Sequence, residues 1–101
     1  MLFVTVAVAP RKLQITPNQS IYQSGDRIEC SAEGNPAPSY QWTKLVSGTV
    51  IKGSVLVISE DMVNNIYAFQ CAASNQYNGE HYTITGNIAF TVKGIDLHLH
   101  T

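Results

Sequence analysis

The sequence has little charge, and what it has is balanced. Only 13% of its 101 residues are charged, and six Lys and Arg stand against seven Asp and Glu, for a net charge of −1. An ordinary soluble domain carries about 25% charged residues, so part of the surface must be neutral and polar. A nucleic-acid-binding domain needs a basic face, which this balance cannot supply. Nucleic acid is therefore excluded as a partner.

Long apolar runs and helical patterns are also missing. The longest apolar-looking run, Leu2 to Ala9, is interrupted by Thr5 and is far shorter than the ~18 residues of a membrane-spanning helix. The same segment lacks the basic leader and the small-residue cleavage pattern of a secretion signal. We expect no direct membrane insertion by this segment, and we expect any secretion or anchoring segment to lie outside this sequence.

Residues arranged for catalysis or metal binding are lacking as well. There is no Gly-x-Ser-x-Gly motif and no Cys–His arrangement, whereas a hydrolase needs a nucleophile, a base and an orienting acid within mutual reach. Asp96, His98 and His100 would share one face of a strand, but a zinc site needs three or four supported ligands, and a terminal tail or linker is the alternative interpretation. We expect no enzyme, no cofactor and no bound metal.

What the sequence does have is β-branched residues. Ile, Val and Thr number 26 against 16 Leu, Ala and Met, and β-branched side chains pack well on a pleated sheet. Alternating patterns predict about seven short strands, which favours a sandwich or a barrel. The predicted strands are Leu2–Val8 closed by Pro10, Leu13–Ile15 stopped by Pro17, Ile21–Gln23, Ile28–Glu33, Tyr40–Thr43, Leu56–Ile58, Phe69–Ser74 and Ile88–Val92, with a hairpin turn at Asn78-Gly79.

Two cysteines and the single tryptophan point to one family. Cys30 and Cys71 lie in alternating strands, and Trp42 follows Cys30 by twelve residues. This Cys…Trp…Cys order in a chain of about seven strands resembles the immunoglobulin superfamily. The resemblance covers Pro10 to Val92 and extends to Ile15-Thr16-Pro17, Gly25-Asp26-x-Ile28-x-Cys30, Gly34-Asn35-Pro36-Ala37-Pro38, Leu56-x-Ile58 and Cys71-x-Ala73-x-Asn75 before Gly79.

The resemblance implies an all-β fold of two antiparallel sheets with Greek-key topology. A disulfide between Cys30 and Cys71 would join the sheets, with Trp42 packed against it and Phe69, Leu56 and Ile58 in the core. Such a loop of about 42 residues would stabilise the fold by roughly 4 kcal/mol, but only in an oxidising compartment. Intracellular muscle modules share the fold with unpaired thiols, so the reduced state remains an alternative.

Two departures narrow the type of domain. The family often has Tyr two residues before the second cysteine, but this position holds Phe69, which lacks the hydroxyl of the tyrosine corner. Leu56 follows Trp42 by only fourteen positions, which leaves no room for the extra strands of a variable domain. We expect an I-set or short constant-like immunoglobulin domain of the adhesion type.

We expect this domain to occupy residues 10–93. Phe3-Val4-Thr5-Val6 resembles Ala89-Phe90-Thr91-Val92, so residues 1–9 are either an N-terminal strand or linker or the end of a preceding immunoglobulin domain. Residues 94–101 are correspondingly a C-terminal tail or the start of a following domain. Chance likeness between short β-rich segments explains the similarity equally well.

With nucleic-acid binding, membrane insertion, catalysis and metal binding set aside, binding of a protein partner remains. A second copy of the chain is among the candidate partners. The predicted strands Tyr40–Thr43, Phe69–Ser74 and Ile88–Val92 correspond to strands C, F and G of the immunoglobulin fold. Their outward residues form a surface that we call the C–F–G face, and its neutrality suits burial against a partner. The F–G hairpin is a second candidate, because Tyr buries much area with few rotatable bonds, although its rings could instead fold back onto the sandwich. The candidate residues are Gln41, Thr43, Gln70, Ala72 and Ser74 on the face, with Ala89 and Thr91 beside them, and Tyr77, His81 and Tyr82 on the hairpin.

We therefore expect an extracellular or cell-surface module of a cell-adhesion or recognition receptor, flanked by further immunoglobulin-like domains. The triplet Asn18-Gln19-Ser20 is an N-glycosylation acceptor, so Asn18 is the expected glycan site. The alternative is a structural spacer in a tandem array, including one in an intracellular filament-associated protein.

Overall fold

Strands make up most of the chain in the computed structural model, which describes residues 6–94. One short 3₁₀ turn, Glu60–Met62, links the sixth and seventh strands. The strands in this range are β1 Val8–Thr16, β2 Ile21–Gln23, β3 Arg27–Asn35, β4 Ser39–Lys44, β5 Val50–Lys52, β6 Val55–Val57, β7 Ile66–Tyr77 and β8 Glu80–Lys93.

The strands form two sheets that pack face to face. The smaller sheet has the order β1-β3-β6, and the larger has the order β2-β8-β7-β4-β5. All neighbours pair antiparallel except β2 and β8, which are parallel. A disulfide joins Cys30 of β3 to Cys71 of β7, with 6.5 Å between their Cα atoms. The predicted immunoglobulin-like sandwich with an inter-sheet disulfide is thus confirmed.

The core lies between the sheets around the disulfide. Trp42 is fully buried, and its Nε1 donates a hydrogen bond to the Ser54 carbonyl at 2.9 Å. Its ring meets Phe69 edge-on at 6.4 Å, and Phe69 stacks on Phe90 at 5.9 Å, both favourable aromatic arrangements. Leu56 and Ile58 are also buried in this cluster.

Two other tyrosines provide the buried hydroxyl contacts that Phe69 cannot make. The Tyr40 hydroxyl accepts a hydrogen bond from the Ala32 amide at 2.9 Å and donates to the Ala32 carbonyl at 3.1 Å. Tyr40 belongs to the larger sheet and Ala32 to the smaller, so this pair bridges the sandwich. The Tyr22 hydroxyl donates to the Pro17 carbonyl and accepts from the Gln19 amide at 2.9 Å, which fixes the segment between β1 and β2.

The prediction that Pro10 closes a strand is wrong. β1 is continuous from Val8 to Thr16, and its register with β3 shifts between Val8 and Arg11 and again between Arg11 and Gln14. Proline is tolerated at such bulges and on edge strands, where no ladder hydrogen bond is lost. β1 is an edge strand of its sheet, and it begins two residues before the predicted domain boundary at Pro10.

The segment between Trp42 and Leu56, which we expect to be too short for the extra strands of a variable domain, contains one short strand, β5. β5 pairs with β4, with Val50 opposite Thr43 and Lys52 opposite Gln41. Gly48 and Gly53 adopt φ values of 76° and 113° on either side of it, which other residues rarely adopt. β5 therefore adds a fifth strand to the larger sheet, at the edge next to β4.

The longest pairing in the molecule is the F–G hairpin, in which β7 is the predicted strand F and β8 the predicted strand G; β4 is the predicted strand C. Asn78 and Gly79 form its two-residue turn with φ values of 51° and 74°, as the Asn-Gly dipeptide predicts. The ladder runs without interruption from Tyr77 opposite Glu80 to Ile66 opposite Thr91. This register decides which residues of both strands share each side of the sheet.

Candidate protein-binding face

β7 lies in the middle of the larger sheet, and its alternation defines the two sides of that sheet. Phe69, Cys71 and Ala73 are buried, so they point toward the smaller sheet. Gln70 and Ala72 lie between them in sequence and therefore point outward. The C–F–G face is this outward side.

The register brings the candidate residues of strands C and F together. β4 pairs with β7 so that Gln41 lies opposite Ala72, and Thr43 lies opposite Gln70. Ser74 continues the same side of β7. Gln41 is exposed and the other four are half-buried. These five side chains, four polar and one the methyl group of Ala72, therefore form one contiguous uncharged surface at the centre of the C–F–G face.

A shallow depression of about 300 Å³ lies on the C–F–G face toward the F–G hairpin. Inside it, the Ser74 and Thr83 hydroxyls are 2.9 Å apart and hydrogen-bond to each other. The lining offers hydroxyl, amide and imidazole groups to a partner and contains no Asp, Glu, Lys or Arg. Its residues are Ser39, Tyr40, Gln41, Ala72, Ser74, His81 and Thr83.

The three candidate residues of the F–G hairpin do not form one site. His81 is exposed and shares the C–F–G face, because it lies opposite Gln76. Tyr77 and Tyr82 instead turn to the inner side, where their rings stack at 4.5 Å and are half-buried. Desolvation raises the pKa of the Tyr77 hydroxyl above its ordinary value, and Tyr82 adds to this rise. Both rings have therefore folded back onto the end of the sandwich.

Charge is divided unequally between the two outer surfaces. Among residues 6–94, the register places two charged side chains on the outer side of the larger sheet, Lys52 and Lys93, one near each margin. The outer side of the smaller sheet is charged, and Glu33 there accepts a hydrogen bond from Arg11 at 3.2 Å and lies 3.8 Å from Lys12. Its charged residues are Arg11, Lys12, Arg27, Glu29 and Glu33.

The sequence did not reveal four exposed apolar residues on the C–F–G face, namely Ile21, Leu45, Val50 and Ile66. For Ile66 a signal was present, because extending the alternation of strand F backward from Phe69 places position 66 outward. Leu45 and Val50 gave no comparable signal, because the strand β5 that defines their surroundings was not predicted.

Asn18 is exposed in the segment between β1 and β2, where it is accessible for glycan attachment. The metal-site candidates Asp96, His98 and His100 lie outside the described residues. Within the described range, no three His, Cys, Asp or Glu side chains cluster as metal ligands. In the same range, no helix has the length and apolar character needed to cross a bilayer.

Comparison with known proteins gives two relatives, although no protein-family model matches the chain. Neurofascin of Gallus gallus is 34% identical over 86 residues, which cover 73% of this chain and 6% of neurofascin. The cell adhesion molecule Dscam1 of Drosophila melanogaster is 30% identical over 80 residues, which cover 67% of this chain and 4% of Dscam1. The chain thus spans a small part of each relative, and both relatives are immunoglobulin-superfamily proteins. Together with the disulfide-linked sandwich and its buried tryptophan, these matches show that the chain belongs to the immunoglobulin superfamily.

Proposed function

We propose that this chain is an extracellular immunoglobulin-like module of a cell-adhesion or recognition receptor and binds a protein partner through the C–F–G face. The observation that carries the proposal is the division of charge. Between the marginal Lys52 and Lys93, the described part of this face is uncharged, whereas the opposite sheet carries five charged side chains. Burying a neutral surface removes little charge from water, and the cores of protein interfaces are depleted of charged residues.

The extracellular location is supported by the disulfide and by the glycosylation acceptor. Disulfides form and persist in oxidising compartments, and the Cys30–Cys71 bridge joins the two sheets of this domain. Asn18 is exposed, as glycan attachment requires. An intracellular filament module would keep both thiols reduced, so the bridge favours the receptor over the intracellular spacer.

The adhesive role is supported by one relative, Dscam1, which is a cell adhesion molecule. In keeping with a receptor ectodomain, we propose that further immunoglobulin-like domains flank this one. The proposed activity is binding, without a catalytic role.

Cell aggregation tests this binding: the protein is displayed on non-adherent cells, and the cell aggregates that form are counted. Expressing cells are mixed with one another and, separately, with labelled cells that lack the protein. The test variant Gln70→Lys/Ala72→Lys places two charges at the centre of the C–F–G face. We expect it to reduce adhesion at least about tenfold, because an unpaired charge buried in an interface is strongly unfavourable.

Ser31→Lys is the matched control, since Ser31 is exposed on the outer side of the smaller sheet. It should adhere like the unchanged protein, and both variants should unfold at nearly the same temperature as that protein. Full adhesion by the Gln70→Lys/Ala72→Lys variant would remove the assignment of this face. Failure of the unchanged protein to bind either kind of cell would remove the adhesive function itself.

A further inference from the structure

The turn of the F–G hairpin holds two groups that can react with each other. Asn78 and Gly79 are both exposed and connect β7 to β8. The side chain of an asparagine carries a carboxamide carbon, Cγ, and the backbone nitrogen of the next residue can close a five-membered ring onto that carbon. The chain itself keeps the two groups close, so their encounter needs no binding step.

Gly79 favours this ring closure. It has no side chain to obstruct the approach of its nitrogen to Cγ of Asn78, and it adopts backbone conformations that are closed to most residues. Its φ is 74°, and apart from Gly79 itself and its two chain neighbours, no residue has an atom within 4 Å of where a Cβ would lie. The turn therefore has open space in which to rearrange.

The ladder of the hairpin does not include the reacting nitrogen. Tyr77 and Glu80 are the last pair of the ladder, and in a two-residue turn this closing pair carries the hydrogen bonds. The Gly79 amide lies beyond it, in the exposed turn. Hydroxide from solvent can therefore remove its proton, which makes the nitrogen a nucleophile.

The other six asparagines each lack one of these conditions. Asn35 precedes Pro36, whose nitrogen carries no hydrogen. Asn75 is buried, and its Nδ2 is hydrogen-bonded to two carbonyls. The remaining four are each followed by a residue with a side chain, and they are Asn18, Asn64, Asn65 and Asn87.

Asn64 is the matched comparison within the same chain. It is exposed like Asn78, and its φ of 68° is close to the 51° of Asn78. The residue that follows it is Asn65, whose side chain crowds the approach of its own nitrogen. A difference in reactivity between Asn64 and Asn78 therefore reports the effect of Gly79.

We propose that Asn78 is a site of spontaneous modification, at which the carboxamide becomes a carboxylate through a cyclic imide. The Gly79 nitrogen loses its proton and attacks Cγ, so that the N–Cγ bond forms, the Cγ–Nδ2 bond breaks and ammonia leaves. Water then adds to one of the two imide carbonyls and breaks its bond to the nitrogen, which regains a proton. Breakage of the bond to Cγ gives aspartate, and breakage of the bond to the backbone carbonyl carbon gives isoaspartate.

Both products change the hairpin end of the C–F–G face. Each adds a negative charge next to Glu80 in a chain whose net charge is −1. Isoaspartate also lengthens the main chain of the turn by one carbon, and turn type and loop length fix the register of a hairpin. The isoaspartate form should therefore unfold at a lower temperature than the aspartate form, since aspartate tolerates a positive φ.

The test is incubation of the 101-residue chain at physiological pH and temperature for several weeks, followed by peptide mapping. Conversion raises the mass of the peptide that contains Asn78 by about one dalton, and a methyltransferase specific for isoaspartate labels that product. We expect both products at position 78, formed at least about tenfold faster than at Asn64 or Asn87, because glycine leaves the attacking nitrogen unobstructed.

Gly79→Asn is the matched variant, since it creates the Asn-Asn pair that is present at Asn64. It should slow conversion of Asn78 at least about tenfold, and thermal unfolding verifies that it is folded. If it does not fold, the comparison of Asn78 with Asn64 in the unchanged chain decides.

Four results would overturn parts of the proposal or all of it. No conversion at Asn78 would remove the site, and equal rates at Asn64 and Asn78 would remove the role of Gly79. Aspartate without isoaspartate would rule out the cyclic imide. An isoaspartate form that unfolds at the same temperature as the variant Asn78→Asp would remove the effect on the turn.

Discussion

Asn75 holds three segments together at the end of the sandwich near the F–G hairpin. Its Nδ2 donates to the carbonyls of Val8 and Pro36, at 2.7 Å and 2.9 Å. Gly34 leaves space for this amide, because a Cβ there would lie 3.2 Å from Nδ2 and 3.0 Å from the Pro38 ring. The buried amide thus ties β7 to the start of β1 and to the loop before β4.

Replacing this side chain should loosen that end of the domain. Asn75→Ala leaves both carbonyls without their donor, and we expect a loss of about 1–3 kcal/mol in the free energy of unfolding. Urea denaturation measures this loss in the free energy of unfolding. The control is Asn87→Ala, since Asn87 is exposed on the C–F–G face, and its effect should stay within about 0.5 kcal/mol. Equal losses in both variants would contradict the role given to Asn75.

At the scale of elements, the turn of the β7–β8 hairpin sets the geometry of the proposed binding surface. Asn78 and Gly79 both have positive φ, and the two-residue connection keeps the strands in one register. A slip by one residue would exchange the inner and outer sides of a strand. The position of Gln70, Ala72 and Ile66 on one surface therefore depends on this turn.

Gly79→Ala should destabilise the hairpin by about 1–2 kcal/mol, because its φ of 74° is unfavourable for a residue with a Cβ. Apart from Gly79 itself and its two chain neighbours, no residue has an atom within 4 Å of the added carbon, so the backbone conformation causes the loss. Gly79→Asn should lose less, since Asn tolerates this conformation better. Denaturant unfolding of both variants tests the order, and an Ala variant as stable as the unchanged protein would show that the turn conformation is not limiting.

The strands that alternation predicted are those with one side in the core. Ile28 to Glu33 and Phe69 to Ser74 are of this kind, since the buried side imposes the period of two. β5 was missed because its three residues are all exposed, and the uninterrupted passage of β1 through Pro10 depends on its edge position. The grouping of Ile21, Leu45, Val50 and Ile66 on one side of the larger sheet was not predictable, because these residues come from four separate segments that only the register aligns.

At the scale of the whole molecule, the disulfide is the covalent link between the two sheets. Cys30 and Cys71 are both buried, and they lie 41 positions apart in the chain. A domain of this size buries a limited core, so a cross-link of this span contributes a large share of its stability.

The double variant Cys30→Ala/Cys71→Ala should lose about 2–5 kcal/mol of stability. For a domain of about 100 residues this lowers the midpoint of thermal unfolding by roughly 10 °C or more. A reducing agent should lower the midpoint of the unchanged protein by a similar amount and leave the double variant unaffected. A midpoint that does not respond to the reducing agent in the unchanged protein would contradict this contribution of the bridge.

Under the proposed function, the near-absence of charge on the C–F–G face also determines how fast a partner arrives. Oppositely charged surfaces steer each other to association rates of about 10⁸–10⁹ M⁻¹s⁻¹, whereas neutral ones meet productively at about 10⁵–10⁶ M⁻¹s⁻¹. Encounters on this face are therefore slow, and because salt screens only charges, their rate changes little with ionic strength. Discrimination between partners then resides in the lifetime of each contact, which shape and apolar fit determine.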